Sequence, residues 1–338
     1  MEKNLDILID NLFSGFSEKQ AKVLQSRFGI KTGKRKTLQA IGDELNVTRE
    51  RVRQIEEQGI KKLRNRVCED AGWVFEIAKK HLSRMGGVRL EDDFLNEVMK
   101  ETSLISKKYG DKKLFFIFSV AGIPMYHRED DSFHAFWYED KKAEKNFLDY
   151  IRKVTLTLKS ADKNEYLAKK RYLEYHSDPI SKHFLGIAKH LGTNMFGDFG
   201  LKEWPEINPK TIRDKAYLAL KKHTKPLHFE DIASKISQLG IDKKKAHVQT
   251  VHNELIKDSR FVLVGRGIYA LEEHGYKAGT VREVIAHLMN ENGPLSAKEV
   301  VRLVNKQRFL KENTILLNLQ NRKFFKKIDG GKYHIKEA

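Results

Sequence analysis

Residues 37–56 read TLQAIGDELNVTRERVRQIE, a stretch in which a short polar break separates two segments of helical periodicity. One face on each side of the break, continued into the following turns, is apolar: Leu38, Ile41, Leu45, Val52, Ile55 and Leu63. Val47 supplies an apolar side chain within the break, and Gly42 leaves room for two helices to cross closely. Thr37 and Thr48 stand where helix caps are expected. The pattern predicts two helices joined by a tight turn.

The second of these helices has a polar outer face. Once the apolar positions face inward, its first two turns expose Arg49, Glu50, Arg53 and Gln54. In a helix-turn-helix protein this part of the second helix enters the major groove of DNA. Arginine can bond to guanine O6 and N7, glutamate can accept from cytosine N4, and glutamine can pair with adenine. Cations suited to phosphate contacts follow further along the helix: Lys61, Lys62, Arg64 and Arg66.

Two other interpretations of this segment stay open. The second helix could be an exposed, charged helix held by ion pairs between residues four apart. The segment could also be a helix-turn-helix that docks on another protein and contacts no DNA base.

Residues 17–66 resemble region 4 of the sigma-70-type bacterial sigma factors. The resemblance is carried by the stretch quoted above and, upstream of it, by residues 27–30, which read RFGI. It implies a domain that binds the −35 element of a promoter and docks on the flap of the RNA polymerase β subunit. By position, it makes base readers of Arg49, Glu50, Arg53 and Gln54. It places three further residues near the DNA backbone: Thr37, Thr48 and Arg51.

The chain departs from that family at its amino-terminal end. Only about sixteen residues precede the match, which leaves no room for the sigma domains that bind the polymerase clamp and melt the −10 element. We therefore expect a regulator that carries a −35 reader and does not open a promoter by itself.

The composition favours a nucleic-acid partner. The 338 residues include 64 lysines and arginines against 46 aspartates and glutamates, a net charge of +18 that a polyanion would neutralise. The single cysteine excludes an internal disulfide framework and a cysteine-rich zinc site. We find no secretory signal in residues 1–13 and no apolar run near the roughly 20 residues of a membrane helix. We expect a cytoplasmic protein without a membrane partner.

The sequence predicts no enzymatic site. The 13 histidines lack metal-ligand spacing, and Gly33-Lys34 lacks the rest of a phosphate-binding loop. Acidic clusters at residues 91–93 and 129–131 are typical of a helix start or a turn. We expect no catalytic residue, no bound metal and no cofactor.

The remainder of the chain predicts a series of small helical domains. Residues 226–269 and 294–333 form an internal repeat in which helices give way to two short strands around a glycine turn, the plan of a winged helix. We expect a mainly α, multi-domain array of helix-turn-helix and winged-helix units with short β-hairpin wings. Its predicted divisions are residues 1–70 (helix-turn-helix), 71–140 (a candidate winged helix), 141–205 (a helical linker), 206–273 (a winged helix) and 277–338 (a second winged helix).

Residues 208–271 resemble the HARE-type winged helix of the δ subunit of Gram-positive RNA polymerase. The resemblance is carried by Pro226-Leu227, by residues 230–233 (EDIA) and by residues 260–271 (RFVLVGRGIYAL). It implies a contact with nucleic acid or polymerase, because such domains occur both on polymerase and beside DNA-modifying enzymes. If the third helix and wing contact DNA, the candidate residues are Lys243, Lys244, Lys245, His247, Gln249, His252 and Arg266. The alternative is a solvated basic face.

Three hypotheses of function follow. The first is a sequence-specific transcription regulator that binds duplex DNA and contacts RNA polymerase. The second is a polymerase-associated accessory protein whose helix-turn-helix docks on the β flap and reads no base. The third is the DNA-targeting part of a modification or repair system. Adjacent Leu316 and Leu317 in the last domain also indicate a protein interface, and no heptad run that would build a dimer is visible.

Overall fold

A computed structural model describes residues 4–102, 106–160, 178–238 and 245–336. The chain forms two compact units, Met1–Lys202 and Glu203–Ala338. Helices dominate both units and the sheets have two or three short antiparallel strands, which confirms the predicted mainly α class. Among the described residues, no helix is long and apolar enough to cross a membrane.

The first unit contains the predicted helix-turn-helix and the helices and strands that follow it. Its described helices are α1 (Leu5–Phe13), α2 (Glu18–Phe28), α3 (Leu38–Leu45), α4 (Arg49–Asp70), α5 (Gly72–Arg84), α6 (Glu91–Thr102), α7 (Gly110–Ala121), α8 (Lys141–Ser160) and α9 (Pro179–Ile187). Its strands are β1 (Val88–Leu90), β2 (Met125–His127), β3 (Phe136–Tyr138), β4 (Leu191–Thr193) and β5 (Phe199–Leu201).

The helix boundaries in this unit follow local capping chemistry. Ser17 and Gln20 form a reciprocal capping box at the start of α2. Gly29 ends that helix in the left-handed conformation with φ of 71°. Thr37 caps α3 and Thr48 caps α4, each by accepting a backbone N–H three residues on. The caps at Thr37 and Thr48 were predicted from the sequence and are confirmed.

The turn between α3 and α4 packs around the predicted apolar face. A small core is formed by Val23, Ile41, Val52 and Ile55, with Leu38, Leu45 and Val47 packed partly buried against it. A Cβ added to Gly42 would lie 2.6 Å from the carbonyl oxygen of Val47. The close crossing of the two helices therefore requires a glycine at position 42, since real Cβ contacts are never that short.

The residues after α4 have winged-helix topology. They run in the order α5, β1, α6, α7, β2, β3, and the sheet has the strand order β1-β3-β2. Tyr138 on the central strand pairs with both Val88 and Met125. The acidic residues 91–93 form the first turn of α6, as expected of a helix start.

The third helix of this winged helix, α7, is enclosed. Its buried residues are Lys113, Leu114, Phe115, Phe116, Ile117, Phe118, Val120 and Ala121. They join a single core that extends from Leu5 in α1 through Leu63 in α4 to Trp137 in β3. This core crosses residue 70, where the sequence analysis places a division. Because α7 packs against α1, α2 and α4, it lacks the exposed face that a DNA-reading third helix needs.

The second unit contains the internal repeat. The first copy comprises α10 (Ile212–His223), β6 (Leu227–His228), α11 (Phe229–Gln238), α12 (Val248–Lys257), β7 (Phe261–Gly265) and β8 (Ile268–Leu271). The second comprises α13 (Val281–Asn292), β9 (Leu295–Ser296), α14 (Ala297–Gln307), α15 (Glu312–Leu319), β10 (Phe325–Lys327) and β11 (Lys332–Ile335). In each copy the last strand is central in the sheet, so both have the topology of the winged helix in the first unit.

The two copies of the repeat contact each other through a backbone hydrogen bond. Phe309 donates its N–H to the carbonyl oxygen of Val264 at 2.7 Å, which places the loop before α15 beside the edge of β7. At the start of α14, Ser296 and Glu299 form the predicted capping box. Each copy keeps its own apolar core.

Candidate nucleic-acid interface

The four candidate base readers lie together on the first two turns of α4. The side chains of Arg49, Glu50 and Arg53 are exposed, and Gln54 is half-buried beside them. The capping residue Thr48 fixes where the helix begins and therefore which side chains occupy its first turn. The face has the position and the residue types of a major-groove reading surface.

These side chains are partnered with one another in the free protein. Arg53 Nη2 lies 2.7 Å from Glu50 Oε1, and Arg53 Nε lies 2.9 Å from Glu50 Oε2. Arg53 also forms an ion pair with Glu57, and Arg51 Nη1 donates to Gln54 Oε1 at 3.1 Å. The hydrogen bonds from Arg53 lower the pKa of the Glu50 carboxyl below its usual value. Because exposed ion pairs are weak, DNA can replace these contacts at little cost.

Two threonines present hydroxyl groups at helix amino termini. Thr37 Oγ1 accepts from Ala40 N at 3.1 Å, and Thr48 Oγ1 accepts from Arg51 N at 3.2 Å. A capping hydroxyl uses a lone pair in this bond and keeps its own O–H free to donate. Both threonines are exposed, and a helix amino terminus attracts anions. This geometry suits the phosphate contacts predicted for them.

Three cations in the carboxy-terminal half of α4 have partners within the protein. Arg64 Nε donates to Val120 O at 3.2 Å, and Arg66 Nη2 donates to Asn11 O at 2.7 Å. Lys62 Nζ donates to Gly15 O at 2.9 Å and lies over the Phe16 ring. These three cations bond to carbonyl oxygens in or just beyond the last turns of α1 and α7, where helical carbonyls lack partners. Lys62 and Arg64 are nevertheless exposed and Arg66 is half-buried, so the phosphate contacts predicted for them stay a prediction. Lys61 stays exposed.

The basic loop before α3 adds candidates that the sequence analysis did not single out. Lys31 and Lys34 are exposed in the loop that leads to the Thr37 cap. The Arg27 side chain is held by contacts within the protein instead, since its Nη1 donates to Lys36 O at 3.0 Å and its Nε lies 3.3 Å from Glu56 Oε1. The signal in the sequence was the run of cations immediately before a predicted helix cap.

The candidates in the first winged helix of the second unit separate into three groups. Lys243 and Lys244 lie outside the described residues. Three exposed residues lie at or just before the amino-terminal end of α12, and a fourth lies in the turn between β7 and β8: Lys245, His247, Gln249 and Arg266. His252 is half-buried and stacks on Phe229, with ring centroids 4.4 Å apart. Its ring packs within the domain, which corrects the expectation that it faces outward.

Two parts of the chain match known families. Residues 12–65 match the family described as Sigma-70, region 4. These matched residues, called the region 4 domain below, include the helix-turn-helix of α3 and α4. Residues 210–274 match the HARE-HTH family, whose description names ASXL and the restriction endonuclease HTH domain. The second winged helix of the repeat lies beyond the matched residues.

Similar proteins align with the region 4 domain. RNA polymerase sigma factor sigB of Arabidopsis thaliana is 48% identical over 66 residues, 20% of this chain and 11% of the relative. RNA polymerase sigma factor RpoD of Helicobacter pylori is 46% identical over 66 residues, 19% of this chain and 10% of the relative. RNA polymerase sigma factor SigA of Clostridium acetobutylicum is 44% identical over 54 residues, 16% and 14% of the two chains. The chain thus spans between 10% and 14% of the length of these relatives.

Both matched families are of helix-turn-helix type. Domains of this type indicate DNA binding.

Proposed function

We propose that this chain is a transcription regulator that recognises a −35-type promoter element through the first two turns of α4. The main support for this function is that one exposed face of α4 contains all four candidate base readers: Arg49, Glu50, Arg53 and Gln54. Thr37 and Thr48 present hydroxyl groups at the adjoining helix ends. One helix-turn-helix thus contains both side chains that can read bases and side chains that can hold phosphates, as sequence-specific binding requires. Such a regulator would act in the cytoplasm.

Selection of binding sites from a randomised pool of duplexes tests this function. We expect the full chain to enrich one short motif of −35 type, and the Arg53→Ala variant to enrich no motif while it still binds DNA. Recovery of random sequence by the unmodified chain would overturn the proposal.

RNA polymerase is the second proposed partner, with the flap of its β subunit as the docking site. The observation in favour is that the relatives of the region 4 domain are by name RNA polymerase sigma factors. The chain would then work as a polymerase-associated accessory protein. Co-purification with core polymerase, and its loss when the β flap is deleted, would support this function. If the chain still co-purified with a polymerase that lacks the flap, the flap would be excluded as the docking site.

A further inference from the structure

The second winged helix of the repeat contains a basic groove that the region 4 domain does not account for. The groove has a volume of about 600 Å³ and lies between the end of α15 and the β10–β11 hairpin. Its polar lining is Gln320, Arg322, Lys326, Lys327, Tyr333 and Lys336. No carboxylate of the described residues lines it.

The lining cations are not neutralised by any carboxylate in the part of the chain that the structure describes. None of the four forms a salt bridge with a residue that the structure describes, whereas cations elsewhere in the unit do, such as Arg213 with Glu254 at 2.9 Å. Residues 320–336 contain six lysines and arginines against one aspartate. Like charges held close together repel one another, so a surface of this kind favours a polyanion.

The third helix, α15, offers no cation to DNA. Its sequence, ENTILLNL, contains no lysine or arginine, and its exposed face includes the apolar Leu317, which is 70% accessible. The lysines of the hairpin act as point charges suited to phosphates, and Arg322 can bind a phosphate through its planar fork. Contacts made by this wing would therefore be to phosphates and carry no sequence information.

We propose that the groove lined by Arg322, Lys326, Lys327 and Lys336 binds the phosphate backbone of duplex DNA, independently of sequence. The choice of duplex DNA among polyanions rests on the function proposed for the region 4 domain. The wing would add affinity at any sequence, while α4 supplies the preference among sequences.

The test compares two triple variants of the full chain that change the net charge equally. The groove variant is Arg322→Gln, Lys327→Gln, Lys336→Gln. The control variant is Lys298→Gln, Arg302→Gln, Lys306→Gln, which removes three exposed cations from α14. Fluorescence anisotropy measures the affinity of each for a promoter duplex and a scrambled duplex across a salt series, after equal thermal stability has been verified.

The groove variant should bind both duplexes about tenfold or more weakly at ~0.15 M salt, with the slope of log affinity against log salt reduced by about 2–3. The control variant should lose about twofold or less. Equal losses in the two variants would show an effect of net charge alone and overturn the proposal, as would an unchanged groove variant. A groove variant that loses binding only to a single-stranded RNA of the same length would assign the groove to RNA and overturn it too.

The test of the groove and the test of promoter recognition by the region 4 domain have different readouts. The groove variant should leave the ratio of promoter to scrambled affinity unchanged, whereas Arg53→Ala should change that ratio. Either proposal can therefore fail while the other stands.

Discussion

Arg53 holds Glu50 through two hydrogen bonds of 2.7 and 2.9 Å on the exposed face of α4. Both side chains are candidate base readers, so the free protein pairs two groups that recognition would separate. The bond keeps the Glu50 pKa below its usual value, and the carboxylate stays ionised at neutral pH. In this arrangement the guanidinium is oriented before DNA arrives, and Glu57 competes with DNA for it.

Removal of the Glu57 carboxylate should strengthen DNA binding. Glu57→Gln frees Arg53 from one of its two partners and removes a negative charge close to the phosphates. We expect tighter binding by about two- to fivefold, the scale of one exposed charge, measured by anisotropy at low salt. Glu69→Gln, three turns further along the same helix, is the matched control and should change little. Equal effects of the two substitutions would contradict the proposed competition.

Gly42→Ala should destabilise the region 4 domain. The new methyl group would meet the Val47 carbonyl oxygen at 2.6 Å, and overpacking of this kind costs about 1–3 kcal/mol. Thermal unfolding should move down by several degrees. Gly72→Ala, at the start of α5 where nothing lies within 4 Å, is the control and should not lower the Tm. A neutral Gly42→Ala would mean that the helices do not cross this closely.

Phe116→Ala should destabilise the region 4 domain and the winged helix of the first unit together, so that both still unfold in a single transition. Phe116 in α7 stacks on Phe13 at 5.5 Å and meets Phe28 edge-on at 5.1 Å. Loss of a buried phenylalanine costs about 3–5 kcal/mol, measurable by denaturant unfolding. Leu156→Ala, on an exposed site of α8, should cost about 0.5 kcal/mol or less. Two separate transitions in the Phe116→Ala protein would argue against a shared core.

The first unit should lose stability as the pH falls below about 6.5. Burial, reinforced by Arg89, lowers the pKa of His183 below its usual 6.5, so the unfolded chain takes up a proton that the folded chain resists. Arg89 Nε donates to Glu97 at 2.9 Å and lowers the Glu97 pKa. That carboxylate contributes stability above its usual value of 4.5, and the contribution disappears as the pH falls through its lowered pKa.

The measurement is the free energy of unfolding between about pH 3 and pH 8. A His183→Gln variant should show a flatter profile between about pH 5 and 6.5, with the loss near pH 4 retained. An identical profile in the variant would assign the pH dependence to other groups.

The features that the sequence predicted are local ones. Caps at Thr37 and Thr48 depend on residues three positions apart, and the inner face around Ile41 depends on helical periodicity. The intramolecular partners of Lys62, Arg64 and Arg66 were not predicted, because these partners lie about 50 residues away in the chain. Only the packing of α1 and α7 against α4 brings those carbonyl oxygens into reach.

The enclosure of α7 was not predicted for the same reason, since it depends on contacts with residues that are distant in the chain. Residues 114–120 are visibly apolar in the sequence, but periodicity cannot tell which neighbour covers a helix that is apolar on most of its sides. The repeat in the second unit was visible because both copies keep the same order of apolar and glycine positions. The groove at Arg322 and Lys336 was not predicted, since it depends on how the hairpin folds back beside α15.

Fluorescence anisotropy with Arg53→Ala tests the proposed function most directly. The full chain is titrated onto a −35-type promoter duplex and onto a scrambled duplex across a salt series, with Lys61→Ala as the control. We predict that the promoter duplex binds about tenfold or more tightly, that Arg53→Ala removes most of this difference, and that Lys61→Ala weakens both duplexes equally. Equal binding of the two duplexes with a steep salt dependence would show that only phosphates are contacted. That result would contradict −35 recognition and make polymerase docking the leading function.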